Sequence, residues 1–115
     1  VVMTEDQQGF DEIEAIAGVE GVDLIALGPT DISTALGFTE PGDPRLRQAF
    51  DEMAAKVKKV GKAGLYIPVN HSALPLTPQD LLQMGVNYTS VAPAPPIIVL
   101  NSLRESAKRI REATP

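Results

Sequence analysis

The sequence predicts an α/β fold in which parallel β-strands alternate with α-helices. Four short apolar segments suited to strands alternate with segments that place apolar residues at helical spacing. No pair of strand segments is joined by a tight hairpin turn, so each strand has to reach the next through a helical crossover. Right-handed crossovers of this kind produce a parallel sheet that is covered by helices.

The predicted strands are short and rich in apolar or β-branched residues. They span residues 1–4, 24–27, 63–69 and 86–91. The second of them is wholly apolar, which is typical of a strand buried on both faces of a parallel sheet. It ends at Gly28 and Pro29, a pair that cannot continue either a sheet ladder or a helix interior.

The predicted helices have recognisable starts and stops. They span residues 7–17, 32–36, 44–60, 77–84 and 97–112. Asp43 and Pro44 supply an N-cap and a first-turn proline for the longest internal helix, which ends before Gly61. Thr77 and Asp80 resemble a capping box. The last helix carries an apolar face, on which we expect it to dock against a neighbour, made of Val99, Leu103, Ala107 and Ile110.

Four β-α units amount to half of a (β/α)₈ TIM barrel, which typically needs about 250 residues. Such a half barrel would leave two bare sheet edges and an uncovered inner face. The chain also begins with Val1 rather than Met, in a segment that has the character of mid-strand sequence. We therefore expect residues 1–115 to be cut from a whole barrel or completed by another chain, although a small open α/β sandwich also fits the pattern.

The composition argues against several classes of function. The net charge of -5 and the pI near 4.7 disfavour nucleic acid or an acidic membrane surface as a partner. The chain contains no cysteine, which excludes disulfides, thiolate metal sites and a cysteine nucleophile. No apolar run approaches ~18 residues, and no secretory leader is recognisable. We expect a cytoplasmic protein.

Two carboxylates lie where the chemistry of α/β enzymes is usually placed. Glu5 and Asp31 each follow the C-terminal end of a predicted strand, and consecutive barrel strands would bring them to the same rim. Neighbouring parallel strands are ~4.8 Å apart, so two such carboxylates can share one cation. Hard oxygen ligands favour Mg²⁺ or Mn²⁺. The competing interpretation makes Asp31 a helix N-cap and Glu5 a solvated surface residue.

Four other polar residues are weighed against simpler structural roles. His71 lies in a loop at the proposed active rim, and we favour a solvent-facing or supporting role for it over that of a general base. Tyr66 and Tyr88 lie within predicted strands and are expected to pack in the core or at the rim. Ser33 is interpreted as helix polarity, because no partnered His-Asp pair accompanies it.

One stretch resembles the signature of a known family. Residues 21–23, then Gly-Pro-Thr-Asp-Ile-Ser at residues 28–33 and Leu-Gly at residues 36–37, are similar to the signature of the HpcH/HpaI aldolase family. The similarity continues through residues 61–63 and 85–91 and would cover only the second half of a family member. These proteins are class II, metal-dependent aldolases that act on pyruvate or other 2-oxo acids, within the phosphoenolpyruvate/pyruvate-binding TIM barrels.

The resemblance assigns roles to particular residues. It implies that Glu5 and Asp31 bind a divalent ion, Mg²⁺ or Mn²⁺ with Co²⁺ possible, and that Gly28, Pro29, Thr30 and Asp31 bind the substrate. The implied reaction makes or cleaves a C–C bond beside the 2-oxo acid, with an aldehyde as the second reactant, through a metal-stabilised enolate. It also implies a homo-oligomer, and it places the catalytic Arg and His in the first half of the barrel, outside this chain.

Two departures from the family pattern leave alternatives open. Met3 replaces a Gln that precedes the metal-binding Glu, and residues 92–94 are Ala-Pro-Ala where a Gly-x-Asp segment is usual. A citrate-lyase-type acyl-thioester lyase is the nearest alternative, since that barrel family also pairs Glu and Asp on Mg²⁺. The other alternative is a non-catalytic barrel domain that has lost its site.

Overall fold

The computed structural model describes residues 1–91 and 95–113, and its elements follow the predicted alternation. In chain order they are β1 (Val2–Thr4), α1 (Gln7–Asp11), α2 (Ile13–Ala17), β2 (Leu24–Leu27), α3 (Pro29–Ala35), α4 (Pro44–Val60), β3 (Gly64–Tyr66), α5 (Pro78–Met84) and α6 (Pro95–Ala113). The three strands form one parallel sheet in the order β1-β2-β3. The predicted fold class of parallel β-α units is confirmed.

The sheet has one covered face and one open face. Ile25 and Leu65 are paired in register and are almost completely buried beneath the helices. The next row across the sheet points to the other side, because side chains alternate along a strand. In that row Met3 is 58% exposed and Tyr88 is 60% exposed, with Ala26 and Tyr66 between them. The described residues therefore leave this inner face open at Met3 and Tyr88, although Ala26 between them is only 1% exposed. Of the two positions predicted for Tyr88, the core and the rim, the core is ruled out.

The predicted fourth strand, residues 86–91, is reduced to two isolated parallel bridges. Tyr88 pairs with Tyr66, and Val91 pairs with Val69. The register is the same at both bridges, so the segment runs alongside β3 as a parallel strand would. The predicted parallel path of this segment beside β3 is correct, but the segment does not form a continuous strand.

Side chains between the two bridges explain the interruption. Pro68 does not cause it: the Ile67 and Val69 N–H groups on either side of it donate to residues 88 and 90, so the N–H that Pro68 lacks would point to β2. The hydroxyl of Thr89 donates to the Ile67 carbonyl at 2.7 Å, where a regular ladder would have a backbone N–H. The Val69 N–H is shared, since it donates to Thr89 Oγ1 at 3.1 Å and to the Ser90 carbonyl at 3.0 Å. The same proline accounts for the early end of β3 at Tyr66 rather than at residue 69.

Two helix predictions required correction. The helix predicted over residues 7–17 is divided at Glu12, where φ is -95° and ψ is 9°, into α1 and α2. The division is a kink, because the Glu12 N–H still donates to Gln8 and its carbonyl still accepts from Ile16. The helix predicted over residues 32–36 begins at Pro29, because proline at the first helical position needs no N–H partner.

The helix ends predicted for α4 and α5 are confirmed. Asp43 caps α4 by accepting from the Arg45 N–H at 2.8 Å, and Gly61 ends the helix with a φ of 71°. Thr77 and Asp80 form a reciprocal capping box at the start of α5. The core lies between α2, α4 and the covered face of the sheet, and its largest fully buried side chains include Ile13, Ile25, Leu46, Phe50, Met53 and Leu65.

The last helix, α6, buries no residue within the described chain. Its predicted apolar face is open to solvent, with Val99, Leu103 and Ile110 between 59% and 68% exposed. The Ala-Pro-Ala departure at residues 92–94 lies outside the described residues. Among the helices of the described ranges, none has the length and apolar character that crossing a membrane requires.

Candidate active site

The candidate site lies at the C-terminal ends of β1 and β2. Glu5 directly follows β1, and Gly28 directly follows β2 and serves as the N-cap of α3. The Gly28 N–H donates to the Thr4 carbonyl at 3.5 Å, which holds the two strand ends side by side. Asp31 lies in the first turn of α3. Asp31 is therefore not the N-cap that the competing interpretation required, and Gly28 has that position.

Both carboxylates lie beside Gly28. A Cβ atom placed on Gly28 would lie 3.5 Å from Asp31 Oδ2 and 3.6 Å from Glu5 Oε1. Within residues 1–91 and 95–113, neither carboxylate has an ion pair or a side-chain hydrogen bond. Two acidic side chains thus approach the same small volume with no basic residue of the described chain to neutralise them.

A cavity of about 130 Å³ opens beside these residues. Its lining residues come from the three strands, the start of α3 and the loop after β3: Met3, Leu27, Gly28, Pro29, Thr30, Asp31, Tyr66, Pro68 and His71. All four predicted substrate-binding residues line it. A larger groove of about 260 Å³ lies between α5 and the segment paired with β3, but neither a carboxylate nor a histidine lines it.

The first turn of α3 offers backbone donors to this cavity. The N–H groups of Thr30 and Asp31 belong to a helix start, where amides have no acceptor within the helix. The Thr30 carbonyl, in contrast, is occupied, since it accepts from Ser33 Oγ at 2.7 Å and from Thr34 Oγ1 at 3.0 Å. Ser33 is buried and its hydroxyl is engaged in this local bond, as expected for helix polarity.

His71 lies in the same cavity as Asp31. It is half-buried, and its Nδ1 accepts a hydrogen bond from the Ala73 N–H at 3.2 Å. Burial lowers the pKa of His71, and the negative charge of Asp31 only partly opposes that shift. The hydrogen bond from Ala73 also requires a lone pair on Nδ1, which only the neutral ring has in this arrangement.

A tyrosine-serine pair borders the site and was missed by sequence reasoning. The hydroxyl of Tyr66 and the Oγ of Ser90 share a hydrogen bond of 2.7 Å. The ring of Tyr66 also lies 5.3 Å, between centroids, from the ring of Tyr88. The available signal was the alternation along the two strands, which puts residues 66, 88 and 90 on the inner face.

The donor set fits a hard divalent cation that is completed by water and substrate. No group of three or more acidic, histidine or cysteine side chains in the described part of the chain is arranged to hold a metal. The Glu5 and Asp31 pair provides two carboxylates, and Mg²⁺ sites commonly combine one or two carboxylates with waters and substrate oxygens. Gly28 leaves the space between them free of side-chain atoms.

Comparison with known proteins identifies the family. A family model described as HpcH/HpaI aldolase/citrate lyase matches residues 1–93. The chain belongs to this family. The resemblance inferred from residues 21–37 is thereby confirmed, and the shared fold is that of TIM-barrel proteins.

Relatives and solved structures agree with that assignment. A hydroxypyruvate/pyruvate aldolase of Pseudomonas aeruginosa is 31% identical over 116 residues, covering 100% of this chain and 41% of that protein. A 5-keto-4-deoxy-D-glucarate aldolase of Klebsiella pneumoniae subsp. pneumoniae is 36% identical over 93 residues, covering 79% of this chain and 34% of that protein.

A crystal structure of an HpcH/HpaI aldolase/citrate lyase family protein from Burkholderia cenocepacia J2315 superposes with a TM-score of 0.77 at 26% identity. The superposition covers 96% of this chain and 41% of that one. The chain thus spans roughly two fifths or less of the relatives that it matches.

Proposed function

We propose that the chain is the C-terminal half of a class II, metal-dependent aldolase barrel that acts beside pyruvate or a related 2-oxo acid. The observation that carries this proposal is the approach of Glu5 and Asp31 to one point beside Gly28, with no neutralising partner in the described chain. The names of the two relatives, both aldolases, support the reaction class.

In this proposal Glu5 and Asp31 are the protein ligands of a divalent ion, Mg²⁺ or Mn²⁺ with Co²⁺ as a further candidate. The bound ion would supply positive charge that polarises a carbonyl oxygen of the substrate. Glu5 directly follows β1 and Asp31 lies in the first turn of α3, so regular elements position both residues.

The first turn of α3 would orient the carboxylate of the 2-oxo acid. The free N–H groups of Thr30 and Asp31 are donors, and a helix N-terminus favours a negative charge. Pro29 is buried and fixes the start of the helix, while Gly28 lets the substrate approach the backbone without meeting a Cβ atom.

In this proposal, part of the catalytic machinery comes from outside this segment. The cavity lining contains neither Arg nor Lys among the described residues. A cationic group that faces the substrate and a general base must then come from outside this segment. The open inner face of the sheet is where such residues would approach, and the exposed apolar face of α6 supports assembly into a homo-oligomer.

The test is an activity comparison on the full-length protein with Mn²⁺. Condensation of pyruvate with small aldehydes is measured for the wild type, for Asp31→Asn and for the matched control Asp23→Asn at the other end of β2. We expect the wild type and the control to be active and Asp31→Asn to lose nearly all activity. Cleavage of an acyl thioester with no aldol activity would instead identify the citrate-lyase-type enzyme, and inactivity in both assays would identify a non-catalytic domain.

A further inference from the structure

We propose that His71 determines substrate affinity by donating a hydrogen bond from its Nε2–H to an oxygen of the 2-oxo acid in this cavity. The inference rests on the proposed function, because it takes the ligand from there. It assigns His71 the role of a hydrogen-bond donor and not that of the general base considered from the sequence.

The tautomer follows from one hydrogen bond. The Ala73 N–H donates to Nδ1 of His71 at 3.2 Å, so Nδ1 holds the lone pair. A neutral imidazole carries one proton, which must then reside on Nε2. Nε2 has no hydrogen-bond partner within residues 1–91 and 95–113, and His71 lines the cavity, so its N–H is available to a ligand there.

A base at the same position would need the opposite tautomer. Its Nε2 would have to carry the lone pair, and the proton on Nδ1 would then face the Ala73 N–H. Two N–H groups opposed at hydrogen-bond distance leave both donors without an acceptor, which is costly in a half-buried site. The loop thus selects the donor form of His71.

The loop that carries His71 is held firmly in place. The Asn70 N–H donates to the Leu76 carbonyl at 2.9 Å, and the Leu74 N–H donates to the His71 carbonyl at 3.1 Å. Leu74 and Leu76 are each only 2% exposed and anchor the loop in the core. The imidazole is therefore positioned before any ligand binds, which lowers the entropic cost of binding.

His71 supplies a kind of hydrogen-bond donor that the other side chains lining the cavity do not. Among the described residues that line it, His71 is the one with a side-chain N–H group. The Tyr66 hydroxyl already shares a hydrogen bond with Ser90, and the Asp31 side chain is a carboxylate that accepts rather than donates. A 2-oxo acid presents only oxygen acceptors, so a fixed N–H donor complements it.

The experiment measures pyruvate binding to the full-length protein loaded with Mn²⁺, by calorimetry. His71→Asn keeps an oxygen that can accept from Ala73 but removes the group at the Nε2 position. His71→Gln places an amide NH₂ near that position. Ser72→Ala is the control in the same loop, because Ser72 is exposed and its side chain makes no hydrogen bond in the described structure.

We expect His71→Asn to weaken pyruvate binding about three- to tenfold, as the loss of one hydrogen bond does, and to raise KM more than it lowers kcat. Most of the affinity should return in His71→Gln, and the Mn²⁺ affinity and Tm should match the wild type in all variants. If the wild type binds pyruvate and His71→Asn binds it equally well, the inference is wrong and the proposed function stands. If the Mn²⁺-loaded wild type does not bind pyruvate, the proposed function fails and the inference fails with it.

Discussion

Gly28 shows how a residue without a side chain can define a site. Its φ of -88° is one that any residue adopts, so the turn itself does not require glycine. The space around its Cα is what matters, because Asp31 Oδ2 and Glu5 Oε1 both border the position of a Cβ atom. In the proposed metal site, the glycine would leave room beside the two carboxylates for an ion and its water ligands.

Replacing Gly28 by alanine should therefore weaken metal binding while leaving the protein folded. A methyl group at 3.5 and 3.6 Å from the two oxygens makes ordinary contacts but occupies space needed by the ion's remaining ligands. We expect Gly28→Ala to weaken Mn²⁺ affinity about tenfold. The stability cost should stay near 1 kcal/mol, the usual effect of alanine at an N-cap.

Gly18→Ala is the matched control for that substitution. Gly18 has a similar φ of -83° and lies at the end of α2, away from the cavity. Calorimetric Mn²⁺ titration and thermal unfolding of the two full-length variants test the idea. Equal Mn²⁺ affinity in Gly28→Ala and Gly18→Ala would show that the open volume beside Gly28 has no role in metal binding.

At the scale of elements, the start of α5 is stabilised by a charged capping box. The pKa of Asp80 is lowered from 3.8 to about 2, chiefly by the side-chain and backbone hydrogen bonds from Thr77, and further by Arg47. The Thr77 N–H donates to Asp80 Oδ2 at 2.8 Å, and Arg47 Nη1 donates to Asp80 Oδ1 at 2.9 Å. Folding therefore favours the ionised form of Asp80.

This shift predicts a particular acid dependence of stability. A carboxyl group whose folded pKa is depressed stabilises the fold above its unfolded pKa and loses that contribution as the pH falls through the folded value. The difference in Tm between the wild type and Asp80→Asn should thus be full at about pH 5 and shrink as the pH approaches 2. A pH-independent Asp80→Asn difference would contradict this account of the cap.

Local signals made some elements predictable from the sequence. The ends of α4 were predictable from Asp43, Pro44 and Gly61, because helix capping and the left-handed conformation strongly favour particular residue types. Thr77 and Asp80 did the same for α5. The Leu24–Leu27 strand and its following Gly28 likewise fixed the position of the candidate site, because an apolar run that stops at glycine and proline has few other interpretations.

Other features depended on partners that the sequence does not show. The fourth ladder is interrupted because Thr89 Oγ1 bonds the backbone of a strand some twenty residues earlier. The bond between Tyr66 and Ser90 also requires knowledge of the register between the two segments. The tautomer of His71 depends on a single hydrogen bond from the Ala73 N–H, which no residue pattern in the sequence predicts.

At the scale of the whole molecule, the open inner face predicts that residues 1–115 alone do not catalyse the reaction. The segment exposes two sheet edges and inward-facing side chains that a closed barrel buries. Its cavity also lacks a cationic side chain within the described residues, and losing one such electrostatic group typically costs ~10²–10³ in rate. Oxaloacetate decarboxylation with Mn²⁺ is the measurement, and turnover comparable to that of the full-length protein would mean that the active site is misplaced.

The exposed face of α6 predicts that the full-length protein is an oligomer. Val99, Leu103 and Ile110 form an apolar surface whose residues are each 59–68% exposed in a single copy of this chain. Light scattering at micromolar concentration should report more than one subunit, and Leu103→Glu should shift the population toward smaller species. A monodisperse monomer for the wild type would contradict this expectation.

The central claim, that Glu5 and Asp31 together hold a divalent ion, is tested most directly by calorimetric titration of the full-length protein with Mn²⁺. The wild type and the Asp23→Asn control should bind one ion per subunit with the same affinity. Asp31→Asn should bind at least about 100-fold more weakly while its thermal unfolding stays unchanged, since Asp31 is exposed and makes no hydrogen bond with its side chain in the described structure. Unchanged Mn²⁺ affinity in Asp31→Asn would contradict the claim.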